Sequence, residues 1–169
     1  MSGPQARRWG WHPLRPDWAE RIVAAAPVRA ADVVCDLGAG LGALTRPLAA
    51  TGARVIAVEL HPRRAAALRE EFAGTRVAVI QQDLRAFTLP GRPYRVVANP
   101  PYDGVNALVR RLLANPHLLS ADLVVAEGAA RGLLARHRDP RLSLGRVVPR
   151  RAFASPPPDS ARVLLVRRR

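Results

Sequence analysis

Four short apolar runs, at residues 33–37, 55–58, 77–80 and 95–98, each have a polar residue at or near the carboxyl end: Asp36, Glu59, Asp83 and Asn99. Runs this short and this apolar suit strands buried on both faces of a parallel sheet. Between them lie stretches with helical spacing at 17–26, 43–50, 62–72, 105–113 and 129–135, and a fifth strand is expected at 123–125. Asp17 stands where a helix N-cap would. Strand and helix alternating at this interval predict an α/β fold with a mostly parallel, doubly wound sheet. The polar residues then share the carboxyl edge of the sheet, where such folds bind ligands. Two further strand-like pieces, 142–148 and 162–166, flank a proline-rich segment and predict an antiparallel hairpin at the sheet edge. No repeat or linker interrupts the chain, so one unit over 1–169 is expected, with a basic arm at 1–16 and an Arg/Pro-rich hairpin at 141–169.

The first run opens into DLGAGLG (36–42), a glycine loop leading into a helix. Its spacing is G-x-G-x-G, not the G-x-G-x-x-G of dinucleotide binders. Glycine at Gly38 and Gly40 lets the backbone come close to a ligand. An acid at the next strand end, Glu59, suits the paired hydroxyls of a ribose. Asp83, one strand on, suits the amino group of an adenine. With no phosphate clamp, the set describes an adenosyl site and favours S-adenosylmethionine over a nicotinamide cofactor. For Glu59 alone, a solvated strand end is an equally good account; the ordered set of strand ends carries the argument.

NPPY (99–102) follows the fourth run. Two prolines hold the loop extended and remove two N–H donors, which leaves the Asn99 side-chain oxygen and the Pro100 carbonyl as acceptors. An adenine amino group is a poor nucleophile because its lone pair is delocalised into the ring. Two acceptors on its hydrogens draw the nitrogen toward tetrahedral geometry, and Tyr102 offers a ring on which an unstacked base can lie. That chemistry requires neither a general base nor a metal, and no metal-ligand cluster is legible.

Composition bears on the partner. The 169 residues include 27 basic and 13 acidic ones, a formal charge of +14, and every basic residue is arginine. GC-rich coding accounts for arginine over lysine but not for the excess over acids. A charge of this size points to a polyanion, nucleic acid before an anionic membrane. Cys35 is the single cysteine, so no disulfide framework exists, and its apolar setting makes it a core residue. No apolar run is long enough to span a membrane and no signal-type segment opens the chain, so a cytoplasmic protein without a membrane partner is expected.

WGWHPL, DLGAGLGALT, VIAVELHPR, QQDL, RVVANPPY and the closing VPRRAFASPPPDSARVLLVRRR together resemble the rRNA adenine dimethyltransferases. NPPY is shared with many unrelated amino methyltransferases. Pro149, Phe153, the proline run and Ser160 are far more specific to this family. WGWHPL and VANPPY look closest to the actinobacterial members of its erythromycin-resistance (Erm) branch. The resemblance implies a Rossmann-like class I methyltransferase domain that uses S-adenosylmethionine to methylate N6 of an adenosine in large-subunit (23S) rRNA. Macrolide–lincosamide–streptogramin resistance would follow. It implies cofactor contacts from His12, Leu14, Asp36, Gly38, Gly40, Glu59, Asp83 and Asn99, and catalytic roles for Asn99, Pro100 and Tyr102.

Most family members continue into a helical domain that helps to hold RNA. The grip is therefore expected from Arg7, Arg8 and Arg15 at one end and Arg150 and Arg151 at the other, on a monomer. AEGAAR (126–131) departs from the Gln-plus-basic pattern of relatives, which bears on RNA docking. Three other functions stay open from the residues: small-subunit rRNA dimethylation, DNA or protein amino methylation, and RNA binding without catalysis.

Overall fold

The computed structural model describes residues 12–168. Its elements in chain order are α1 (Pro16–Ala25), β1 (Val33–Leu37), α2 (Thr45–Ala50), β2 (Arg54–Glu59), α3 (Pro62–Glu71), β3 (Val77–Gln81), β4 (Tyr94–Ala98), α4 (Val105–Ala114), β5 (Leu118–Ala126), α5 (Glu127–His137), β6 (Leu142–Val148), a 3-10 turn (Arg150–Ala152) and β7 (Ala161–Arg167). The strands form one sheet in the order β3-β2-β1-β4-β5-β7-β6. The first five run parallel, while β7 is antiparallel to both β5 and β6. The expected doubly wound sheet with a C-terminal antiparallel hairpin is thus present.

Alternation along β1 shows why a continuous apolar run is required. Cys35 and Leu37 pack into the core on one face of the sheet and Val34 into the core on the other. Burial pushes the Cys35 thiol up to about 12, in keeping with a packing role. Helix α1 covers the second core with Ala19, Ile22 and Val23, an i, i+3, i+4 stripe.

Two expectations need correction. Asp17 is not the N-cap of α1. Arg15 holds that position, Pro16 starts the helix, and Asp17 lies in the first turn, 3.9 Å from Arg21. Proline's fixed φ and missing N–H favour the first helical position, which moves the boundary back. Strand β5 is also nine residues long rather than three. Ser120 and Asp122 interrupt the apolar pattern but are buried with partners: Arg95 donates to the Ser120 hydroxyl at 3.0 Å, and Arg167 pairs with Asp122 at 2.8 and 2.9 Å.

The sheet order reverses between β1 and β4. These strands share only the register pairs Val34↔Arg95 and Cys35↔Val96, so the loops leaving them separate and open a crevice at the carboxyl edge.

Candidate active site

The glycine loop folds back over the end of β2. Gly38 and Ala39 donate their N–H groups to the Val58 carbonyl at 2.8 and 3.0 Å, with Gly38 at φ 85° and Gly40 at φ 60°. Such angles are free only to glycine. A Cβ on Gly38 would also lie 3.0 Å from Cδ of Pro101. The glycine loop and the NPPY loop therefore touch, and Gly38 is where a side chain would force them apart.

The three strand-end acids differ in their surroundings. Asp36 is buried, and its Oδ2 accepts a 2.7 Å bond from the Thr45 hydroxyl. Burial pushes its pKa up to about 7, with Glu59 adding to the rise and Thr45 opposing it. Glu59 is buried at the end of β2, where Oε2 accepts from the Gly40 N–H at 2.7 Å and Oε1 from the His61 N–H at 2.8 Å. Arg64 Nη1 stands 3.9 Å from Oε1, and Oε2 keeps a lone pair for a further donor. Asp83 instead meets Arg85 in a bidentate pair with contacts of 2.6 to 3.0 Å, and that hydrogen bonding holds its carboxyl below the usual range.

At the NPPY loop, Asn99 Nδ2 donates to the His12 carbonyl at 2.9 Å. The His12 and Tyr102 rings stack with centroids 5.6 Å apart and planes at 28°. The Tyr102 hydroxyl is buried and has no hydrogen-bond partner among the described residues. A cavity of about 180 Å³ joins Pro13, Leu14, Asp36, Gly38, Ala39 and Asn99. Leu14, Asp36, Gly38 and Asn99 thus line one cavity, and Glu59 reaches the glycine loop through Gly40. Asp83 faces Arg85, and the His12 ring faces Tyr102.

The residues fit an adenosylmethionine. The strand ends supply carboxylates, and Arg46, the arginine on the cavity wall, is already bidentate to Glu71 at 2.5 and 2.8 Å. That donor set suits a cationic ligand with hydroxyl and amino groups, and among the described residues lining the cavity it offers no free clamp for a pyrophosphate. Sequence reasoning missed Leu41, which lines the cavity and stands 46% exposed beside Gly40. A large apolar residue set between two glycines of the loop was the available signal.

Of the arginines expected to hold RNA, Arg7 and Arg8 lie outside the described residues. Arg15 and Arg151 are brought together: Arg15 Nε donates to the Arg151 carbonyl at 3.1 Å, and both are exposed. Arg150, also exposed, donates from Nε to the Pro157 carbonyl at 2.9 Å. In the divergent AEGAAR segment, Glu127 pairs with Arg131 and with Arg162, each at 2.8 Å. Its charge ties α5 to β7. Among the described residues no His, Cys, Asp and Glu side chains gather in threes as a metal site would need.

Residues 15–149 match the model of the ribosomal RNA adenine dimethylase family. The chain belongs to that family. It is 32% identical over 145 residues to an rRNA adenine N-6-methyltransferase of Corynebacterium diphtheriae, a match covering 80% of this chain and 57% of the relative. It is 45% identical over 114 residues to ribosomal RNA small subunit methyltransferase A of Leifsonia xyli, covering 62% and 40%. The chain spans about half the length of the curated relatives it matches. Among solved structures, the 23S rRNA methyltransferase ErmE superposes with TM-score 0.83 at 28% identity, over 93% of this chain and 70% of the other. A dimethyladenosine transferase from Plasmodium falciparum shares the fold at TM-score 0.79 and 22% identity, over 92% and 62%. Within this dimethylase fold, the family's Rossmann-like sheet carries both loops described above.

Proposed function

We propose that this chain methylates N6 of an adenosine in ribosomal RNA, with S-adenosylmethionine as cofactor. The observation that carries the proposal is the direct contact of the glycine loop with NPPY, with the Asn99 amide nitrogen committed to His12. Glu59 would hold the ribose, Asp83 the adenine amino group, and Leu14, Asp36, Gly38 and Gly40 the remainder of the cofactor. Bound there, the cofactor supplies a methyl group made electrophilic by its sulfonium sulfur. Asn99 Oδ1 and the Pro100 carbonyl accept the two hydrogens of the target amine, which frees its lone pair for the methyl carbon. The surplus proton leaves the nitrogen once the N–C bond has formed, so no side chain has to remove it beforehand. Tyr102, held on one face by His12, supports the extruded base.

The RNA would be held by Arg15, Arg150 and Arg151, with Arg7 and Arg8 from the N-terminal arm. Arginine suits this because its fork binds phosphate bidentately and stacks on exposed bases. We assign the target to the large-subunit rRNA, supported by WGWHPL and VANPPY and by the likeness to ErmE, with macrolide–lincosamide–streptogramin resistance as the consequence. The small-subunit alternative draws on the 45% identity to the Leifsonia protein. Expression in a macrolide-sensitive host, followed by primer extension on both rRNAs, tests the assignment. A new stop in the large-subunit RNA with raised macrolide tolerance is the expected result, and a stop confined to the small-subunit RNA overturns it.

A further inference from the structure

The catalytic role of Asn99 depends on which end of its amide faces the cavity. An amide presents a carbonyl oxygen at one end and two N–H donors at the other, and the two ends are nearly the same shape. Only the oxygen can accept from an amine. Asn99 Nδ2 lies 2.9 Å from the His12 carbonyl. A flipped amide would set two oxygens face to face at that distance, so the His12 carbonyl selects the orientation that turns Oδ1 away from it.

What fixes that carbonyl is a short strap, residues 12–15, laid against the β6–β7 connection. The Arg15 N–H donates to the Ala152 carbonyl and the Ala154 N–H to the Pro13 carbonyl, both at 2.8 Å. Leu14 and Phe153 form an antiparallel bridge between these two bonds, and both side chains are buried. His12 Nδ1 lies 2.9 Å from the Ser155 carbonyl, which sets the ring that stacks on Tyr102. Side-chain orientation at two positions of NPPY is therefore referred, through four strap residues, to a segment of the terminal hairpin.

We propose that the β6–β7 connection is a positioning element for catalysis. Through the rung between Arg15 and Ala152 it holds the His12 carbonyl, and through that carbonyl it sets Asn99 as an acceptor. The inference rests on the catalytic reading of Asn99 and adds that residues far along the chain control its polarity. It also gives Arg15 two separable parts: a guanidinium open to RNA, and a backbone N–H that belongs to the strap.

That separation supplies the test. Arg15 has φ −70°, the angle proline imposes, so Arg15→Pro removes the N–H while keeping the backbone path. Arg15→Ala removes the guanidinium and keeps the N–H. Turnover on an rRNA fragment is measured for both, with dissociation constants for cofactor and RNA and with melting temperature. The expected result is a kcat at least about tenfold lower in Arg15→Pro than in Arg15→Ala, as misplacement by a fraction of an ångström costs, with both dissociation constants matched. Equal kcat in the two variants overturns the proposal. So does a loss that appears in either dissociation constant or in the melting temperature instead. Should Arg15→Pro fail to fold, Phe153→Leu, which loosens the bridge and keeps apolar bulk, is held to the same criteria against wild type. Asn99→Ala runs alongside: if it keeps near-normal turnover, the catalytic reading itself fails, whereas its inactivity combined with equal Arg15 variants rejects only the strap.

Discussion

Asp36 should make the fold lose stability as pH rises. The carboxyl is 1% exposed, accepts one hydroxyl bond from Thr45, and has its pKa raised from 3.8 to about 7 by burial. The folded state thus binds this proton more tightly than the unfolded chain does. Its contribution is complete below about pH 4 and is lost as pH climbs through about 7. A rise of about three pKa units at about 1.4 kcal/mol each gives about 4 kcal/mol in total, of which roughly 2–3 falls between about pH 5 and about pH 8. Asp36→Asn keeps an acceptor for Thr45 and cannot ionise, and any fixed cost of its extra N–H donors is the same at both pH values. Urea unfolding of both proteins at the two pH values, followed by circular dichroism, isolates the effect. The variant should gain roughly 2–3 kcal/mol on wild type between the lower and the higher pH. A difference constant within about 0.5 kcal/mol would refute protonation of Asp36 in the folded state. Because Asp36 lines the cavity, a cationic ligand should favour its ionised form and flatten the dependence.

Glu59→Ala should weaken cofactor binding by about 1.5–3 kcal/mol, the range for a hydrogen bond to a charged group, and unchanged affinity by calorimetry would reject the ribose role. Tyr102→Phe removes a buried hydroxyl that has no partner among the described residues, so the melting temperature should hold or rise, while Tyr102→Ala should abolish most turnover. Gly38→Ala places a methyl 3.0 Å from Pro101 on a left-handed backbone and should cost at least about 1 kcal/mol of stability together with most activity; near-normal turnover would show that the loop contact is dispensable. Replacing Arg150 and Arg151 should flatten the salt dependence of RNA binding, each lost phosphate contact reducing the log–log slope by roughly 0.7; an unchanged slope would leave them a solvated face.

The parallel sheet was legible because strands buried on both faces must be continuously apolar, and the acids at their ends interrupt that pattern at one edge. The hairpin was legible from two strand-like pieces around a proline run. The length of β5 was not, since Ser120 and Asp122 read as a strand end until Arg95 and Arg167 are seen to hold them. At the site, glycine spacing and NPPY announced the two loops, but nothing local announced that they touch. The pairing of residues 12–15 with 152–155 was hidden for the same reason: it joins residues about 140 positions apart, and two of its three hydrogen bonds are made between backbone groups that any sequence carries. The pairing of Asp83 with Arg85 was two residues away in the sequence yet unread, because arginine is so abundant here that no single one stands out.

The most direct test of the account is the product. Purified protein is incubated with methyl-labelled S-adenosylmethionine and ribosomal RNA, the RNA is digested to nucleosides, and the label is located by chromatography and mass spectrometry. The account predicts label in N6-methylated adenosine, in the large-subunit RNA, and its loss in Asn99→Ala. Cofactor binding with no label in adenosine, or label on another nucleoside, would contradict it.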